Sequence, residues 1–577
     1  MKKHLAALCA LFVLCLGSMA LAETEIQLSD AGVEAGAGVE VDDTAITIRE
    51  NGTYRLTGTM TEGNIVVEAD DVELVWDGAQ LASSTQAPLT AHGGLRLTLP
   101  EGANGAISDL RRREGGEDAA IVAGGAVTVG GEGALSVTAQ VGHGLRAAAL
   151  YIEGGTLSVL SSGDGAHLEA GGDEACFVLS GGQLVADAGG CGVYAGGDAE
   201  VTGGDLRVDA NGDGLYVEGA LDIRGGAMEL NAGAGGSLSS PTSGASASST
   251  SGASPTSSFY SPFFGYDPFE LFFGDPFFGG YGGYDDGYDD GGFYTPAVRG
   301  YDALSAAEIH MEDGSLVLNA SGDGLRADGT LDMAGGALSI ACGGDGLRAG
   351  GALDVSGGVI WVDECEVGLA GTDVSVGAAE VSIVSTETGV SAVSERGGDA
   401  SVLEGAQLSI VSGGDGIEAG ADVYLEGGET QIWCSGRNGA PIRADGDVFS
   451  DGGTLVAGGN AEAAAVSGDS TQPLLHARFN ATLRAGVRVV VEDGSGEAVF
   501  SVEPEEGFSV LLLTSPALQE GGAYTLYVEG EALGWATVDG AEAYFSGDSI
   551  DGRGQQPDAD ETPRGTEPAL EDGVERI

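Results

Sequence analysis

Apolar and polar residues alternate in this chain over four to six positions and then stop at glycine, as in Ala337-Leu338-Ser339-Ile340. Alternation with glycine punctuation and no helical period predicts short strands joined by turns. The pattern also repeats. Residues 321–341 read SGDGLRADGTLDMAGGALSIA, and after Cys342 the chain reads GGDGLRAGGALDVSGGVI, with Asp323 and Asp345 22 residues apart. A period near 22 is the signature of stacked structural turns. Three short strands per period, in register, predict an all-β parallel β-helix of about 22-residue coils. Leucine and isoleucine of one coil then stack on those of the next, glycine takes the turns, and neighbouring strands pair at roughly 4.8 Å.

Aligning the copies on the Gly-Asp-Gly position gives one column: His143, Asp164, Cys191, Asp213, Asp302, Asp323, Asp345, Val367, Thr388, Asp415 and Asn438. The predicted organisation follows from it. A β-rich lead-in and cap occupies 23–110, the helix runs over 111–232 and 301–465, and an insertion separates its two parts at 233–300. A small β module follows at 466–550 and a polar tail at 551–577. The insertion opens as a Gly/Ser/Ala/Thr/Pro linker, and compositions of that kind cannot bury a core. It ends in an aromatic-acidic tract, residues 259–294, which either stays mobile, docks on the helix or self-associates.

Residues 1–22 read as a secretory leader: Lys2 and Lys3, an apolar run from Leu5 to Leu16, and Ala20-Leu21-Ala22 before Glu23. The expectation is a secreted protein, extracellular or associated with the cell surface, with no later run long enough to insert in a membrane. The formal net charge is −66, with 89 acidic residues against 23 basic ones, and the only two lysines lie in the leader. Such a field repels nucleic acid and anionic membranes and draws cations. Five cysteines follow the leader (Cys176, Cys191, Cys342, Cys365 and Cys434) in spacings that fit neither a disulfide framework nor a zinc site. They read as small buried hydrophobes, although Cys342 and Cys365 lie about one repeat apart and could meet.

Candidate chemistry is concentrated in the columns. Asp213, Asp302, Asp323 and Asp345 fall on successive coils, where like charges repel by about 1 kcal/mol per pair even in water. Two readings stand: the carboxylates hold calcium, a hard cation suited to oxygen ligands at turns, or each aspartate caps a tight turn beside glycine. A second outward column, Asp222, His310, Asp332 and Asp354, is either a solvated acidic stripe or a further cation or sugar-acid site. Arg326 and Arg348 follow the aspartates by three residues and either bind a uronate carboxylate or neutralise Asp323 and Asp345. Trp361 and Trp433 occupy nominally outward positions and either stack on pyranose rings or pack under the insertion. No Ser-His-Asp spacing and no H-E-x-x-H motif is present. Acidic pairs are too abundant to single out a glycosidase dyad.

Taken together, several segments resemble a known family. They are Asn51-Gly52-Thr53-Tyr54 with Gly58, the following GNIVVEADDVELVWDG, the GDG coils, and the closing Gln472-Pro473 and SPALQEGGAYTLYVEG. The chain resembles the secreted carbohydrate-binding domain family whose founding member is a calcium-binding right-handed parallel β-helix that recognises cellulose and acidic plant polysaccharides. The resemblance covers nearly all of the chain after the leader. It implies calcium at Asp164, Asp213, Asp302, Asp323, Asp345 and Asp415, and departs from the pattern at His143, Cys191, Val367, Thr388 and Asn438. It implies a polysaccharide partner, cellulose or an acidic plant cell-wall glycan, bound without catalysis. The fold is also similar to that of pectate lyases, which abstract a proton with a lysine or arginine base. Lacking lysine after the leader, this chain offers only arginine for that role, with Arg326 and Arg348 the candidates. A third reading is a surface structural protein that self-associates through 259–294.

Overall fold

The computed structural model describes residues 23–112, 118–169, 175–233, 300–394 and 397–550. Their regular elements are all β-strands, wound into a β-solenoid of about 15 turns. Each coil contributes one strand to each of three parallel sheets. On the first sheet Leu304, Leu325, Leu347, Leu369 and Val390 stand in register. On the second the column is Ile309, Leu331, Leu353 and Val374, and on the third it is Leu316, Leu338, Ile360 and Val381. All of these are buried. Alternation of period two therefore means the same thing on every sheet: one side chain enters the bore and the next faces out.

The parallel stack starts before the repeat is legible. Ala45–Ile48 pairs in parallel with Asn64–Val67, and Gly52–Met60 with Val72–Trp76, which pairs onward with Leu95–Leu99. These first coils lack the GDG motif but carry the same inward apolar residues. Antiparallel pairing at this end involves Thr24–Ser29 with Glu34–Ala35, and Val39–Asp42 with Ala45–Ile48. The insertion does not break the stack. Leu215–Ala232 pairs in parallel with Leu304–Ala320, so the coils on either side of it are direct neighbours. The aromatic-acidic tract at 259–294 lies outside the described residues, as do residues 1–22, expected to be a leader, and 551–577, expected to be a polar tail.

Cys342 and Cys365, on adjacent coils, form a disulfide with Cα atoms 5.0 Å apart, while Cys176, Cys191 and Cys434 are free. No helix among the described residues is long and apolar enough to cross a membrane.

At the C-terminal end an open parallel edge would be a template for unwanted strand pairing. Phe508–Thr514 covers it by pairing antiparallel with Val448–Gly459, and Leu474–Leu483 pairs antiparallel with Phe508–Thr514 in turn. Beyond it Val489–Asp493, Ala498–Val502, Ala523–Val528 and Glu531–Thr537 form a separate four-stranded antiparallel sheet. Glu542, on a strand that pairs in parallel with Leu474–Leu483, holds the start of the C-terminal module: Oε1 accepts the Val466 amide at 2.8 Å and lies 3.4 Å from His476 Nε2. Burial pushes the Glu542 carboxyl up, but His476, the Val466 amide and Tyr544 outweigh it and hold the group below its ordinary value. A depressed carboxyl stabilises the fold above its unfolded-state value and loses that contribution as pH falls. Glu542→Gln should therefore lower stability by roughly 1 kcal/mol near neutral pH, and the two proteins should converge near pH 3. Thermal unfolding at both pH values checks this; an equal difference at each would refute it.

Candidate functional site

Each residue of the G-D-G turn answers a separate demand. The aspartate reaches one coil forward. Asp213 Oδ1 accepts the Asp302 amide at 2.9 Å, Asp302 Oδ1 the Asp323 amide at 2.7 Å, and Asp323 Oδ1 the Asp345 amide at 2.8 Å. Asp164 Oδ1 likewise accepts from Cys191 at 2.8 Å, and Asp415 Oδ1 from Ala440 at 2.7 Å. The glycine before the aspartate makes room for the incoming carboxylate: a Cβ on Gly322 would lie 2.5 Å from Asp302 Oδ1. The glycine after it lets the coils close. A Cβ on Gly346 would lie 2.6 Å from both the Gly368 carbonyl oxygen and Val362 Cγ1. Gly346 is not left-handed, so space rather than backbone conformation excludes a side chain there.

The ladder tolerates one substitute and contains one displacement. His143 takes the aspartate's place, its Nδ1 accepting the Asp164 amide at 3.0 Å. Asn438 does not stand in the column; Ala440 does, its carbonyl receiving the Gly416 amide at 2.9 Å. The turn before it closes on itself through Gly439 N to Gly436 O, at 3.1 Å, and carries Asn438 aside.

Electrostatics divide the column. Burial and the neighbouring Asp323 and Asp213 push Asp302 up to about 6, against the Asp323 amide and Arg326. Burial raises Asp213, and burial with Asp323 raises Asp345. At Asp164 burial pushes upward too, but His143 and His167 outweigh it and hold the carboxyl well below its usual range. Arg348 Nη1 lies 2.8 Å from Asp345 Oδ2, and Arg443 Nη2 donates to Asp415 Oδ1 at 3.0 Å. Arg326 reaches not Asp323 but Asp302, at 3.7 Å, and Asp328, at 3.1 Å.

A calcium shell takes six to eight oxygens, mostly carboxylates, carbonyls and water. Asp164, Asp345 and Asp415 do not suit it, because their carboxylates are already faced by imidazole or guanidinium. Asp213, Asp302 and Asp323 do suit it. They are successive, their mutual repulsion shows in the raised Asp302 carboxyl, and one distant arginine undercompensates them.

The second column is in register as expected, Asp222 beside His310, then Asp332, then Asp354. It faces water. Arg224 pairs with Asp222 at 3.0 Å, and His310 Nδ1 lies 3.1 Å from Asp332.

The two tryptophans part company. Trp361 is 50 % exposed on the third sheet, between Ser339 and Ser382. Trp433 is 1 % exposed, which overturns its reading as a sugar-stacking residue. Its ring lies 5.9 Å from that of Phe508, and Gly458 on the next coil leaves room for the indole. The position is outward with respect to the bore, but the C-terminal module covers it.

Two features escaped sequence reasoning. A second ladder runs at another turn: Asp373 Oδ1 accepts from Asp399, Asp399 Oδ1 from Asp422, and Asp422 Oδ1 from Asp447, at 3.1, 3.0 and 2.8 Å. Its signal was an aspartate immediately before the inward residue of the second strand (Val374, Ala400, Val423, Val448). There is also a cavity of about 480 Å³ where the first column loses its acids, lined by Glu387, Thr388, Asp415, Arg437, Asn438 and Arg443 among others.

These features define a class: a parallel β-helix with carboxylate-laddered turns and three outward-facing parallel sheets, one of them bearing an exposed indole. The chain belongs to the carbohydrate-binding domain-containing protein family, whose model matches residues 42–259 and 295–494. Among solved structures it is similar to the polysaccharide lyase-like protein from C. thermocellum, determined as a gadolinium derivative. That likeness has 22 % identity and a TM-score of 0.34, covering 37 % of this chain and 92 % of that one. No curated protein matches the chain.

The geometry of the turn makes a direct prediction. Gly346→Ala should cost about 2 kcal/mol through overpacking between coils, measured by thermal or denaturant unfolding; an unchanged midpoint would show that the coils have slack there.

Proposed function

We propose that this protein is an exported, non-catalytic polysaccharide-binding β-helix that holds a glycan chain against its third sheet. Membership of the carbohydrate-binding family supports the class of ligand. The single observation that carries the location is Trp361. Its exposed indole stands in an outward column of Val317, Ser339, Ser382 and Ser409, beside a second column that includes Asn231, Asn319 and Ala341. Val317 and Val384 add exposed apolar surface on the same sheet, at 41 % and 43 %. An indole face offers an apolar platform to the C–H face of a pyranose ring. Serine hydroxyls and asparagine amides both donate and accept, as sugar hydroxyls require.

Lysine and arginine are absent from these positions, so a neutral glycan of the cellulose type suits the face better than a uronan. Lyase chemistry has less support: Arg326 and Arg348, the arginine candidates for its base, are engaged with aspartates. We further propose that calcium is held by Asp213, Asp302 and Asp323, where it removes like-charge repulsion and orders the turns around the insertion.

Titration of cello-oligosaccharide and of polygalacturonate by calorimetry, each with calcium and with chelator, tests the whole reading. Trp361→Ala should weaken cello-oligosaccharide binding at least tenfold, about 1.4 kcal/mol, without moving the melting temperature. Unchanged affinity would remove Trp361 from the site, and an unsaturated product from polygalacturonate would replace binding with lyase activity. In the same buffers calcium should raise the melting temperature of the native protein but not of Asp302→Asn/Asp323→Asn, since a ligand of the folded state stabilises it by mass action. An equal rise in both would mean that the column is turn chemistry alone.

A further inference from the structure

His143, Asp164 and His167 converge where the ladder departs from aspartate. Among the described residues they are the group whose ligand atoms, one from each, all lie within 4.8 Å of one another. Asp164 Oδ2 is 2.8 Å from His167 Nδ1 and 3.3 Å from His143 Nδ1. The imidazoles stack with centroids 4.5 Å apart, and His167 stacks in turn on Tyr194, also at 4.5 Å. All three side chains are mostly shielded but reach solvent.

The supporting bonds prepare the group for a ligand. Asp164 Oδ1 is fixed by the Cys191 amide, which aims Oδ2 at the imidazoles. His143 Nδ1 is held between two groups of Asp164, accepting its amide at 3.0 Å and lying 3.3 Å from Oδ2. Outer bonds that fix the orientation of ligand side chains are a regular part of metal sites.

We propose that His143, Asp164 and His167 form a site for a borderline divalent transition metal of the zinc or cobalt class, distinct in chemistry from the all-oxygen aspartate run. Two imidazole nitrogens and one carboxylate oxygen favour such ions over calcium, which prefers oxygen alone. Three protein ligands leave a fourth position of a tetrahedral shell for water. The ion takes the place of the proton between His167 Nδ1 and Asp164 Oδ2 and competes with the Asp164 amide for the His143 lone pair. It clamps two successive coils at the start of the His-Tyr stack.

The test uses the purified, untagged protein and Co²⁺, whose visible absorption reports nitrogen ligation, with Zn²⁺ and Ca²⁺ as competitors. The expected result is a saturable one-equivalent spectrum, displaced by Zn²⁺ and untouched by about a hundredfold excess of Ca²⁺. His167→Gln should weaken Co²⁺ binding at least tenfold. His143→Asp rebuilds the G-D-G turn, keeps an acceptor for the Asp164 amide, and should fold normally yet show the same loss. The proposal is overturned if the unaltered protein gives no spectrum beyond that of His143→Asp, or if Ca²⁺ displaces Co²⁺ as readily as Zn²⁺ does.

Discussion

The contact on which the structure depends is the hydrogen bond from the amide at one coil's turn to the carboxylate at the preceding one. A parallel β-helix must bring its chain round to strand-pairing distance at every turn, and buried amides there need acceptors. The aspartate side chain supplies one, and a hydrogen bond to a charged acceptor is stronger than one to a carbonyl. Because the carboxylate sits where a Cβ of the next coil would lie, glycine is required before the aspartate. Because the turn presses on the following coil's carbonyl and core side chain, glycine is required after it. The motif is thus a packing solution first. Any ion it holds must use what the ladder leaves over.

That solution carries a cost, since it lines up partly buried like charges. The protein meets it differently along the column. Guanidinium groups face Asp345 and Asp415, imidazoles face Asp164, and neutral residues replace the acid at Cys191, Val367 and Thr388. Burial still wins at Asp213, burial and repulsion at Asp345, and both together leave Asp302 with a carboxyl pushed up to about 6. Departures from the repeat are therefore informative. Where the acid persists without a facing cation, repulsion is left unrelieved, and where histidine replaces it, the donor set changes from oxygen to nitrogen and oxygen.

The outer faces are under weaker constraint, since a side chain there touches mainly water and its neighbours one coil away. This freedom permits a hydrophilic strip with one indole on the third sheet while the bore stays largely apolar. It also explains why outward residues could be placed on a sheet from the sequence but not assigned a role. Trp361 and Trp433 are both outward in the alternation, yet only the first meets solvent, because residues brought from Phe508 onward cover the second.

The amino-acid sequence by itself determined the coil: period-two alternation, glycine punctuation and a 22-residue repeat set the strands, the inward residues and the Asp213–Asp302–Asp323–Asp345 register. These are local properties, repeated often enough to reinforce one another. The insertion was legible for the same reason, as a stretch in which the period lapses and then resumes in phase. Tertiary structure alone decided what depends on contact between distant segments. It closed the disulfide between Cys342 and Cys365, put Ala440 rather than Asn438 at the turn, and aligned the second ladder from Asp373 to Asp447. It also buried Trp433 and gathered His143, Asp164 and His167 from two coils. Spacing along the chain fixes which coil a residue belongs to, but how a side chain is used depends on which atoms of the neighbouring coil or cap arrive beside it.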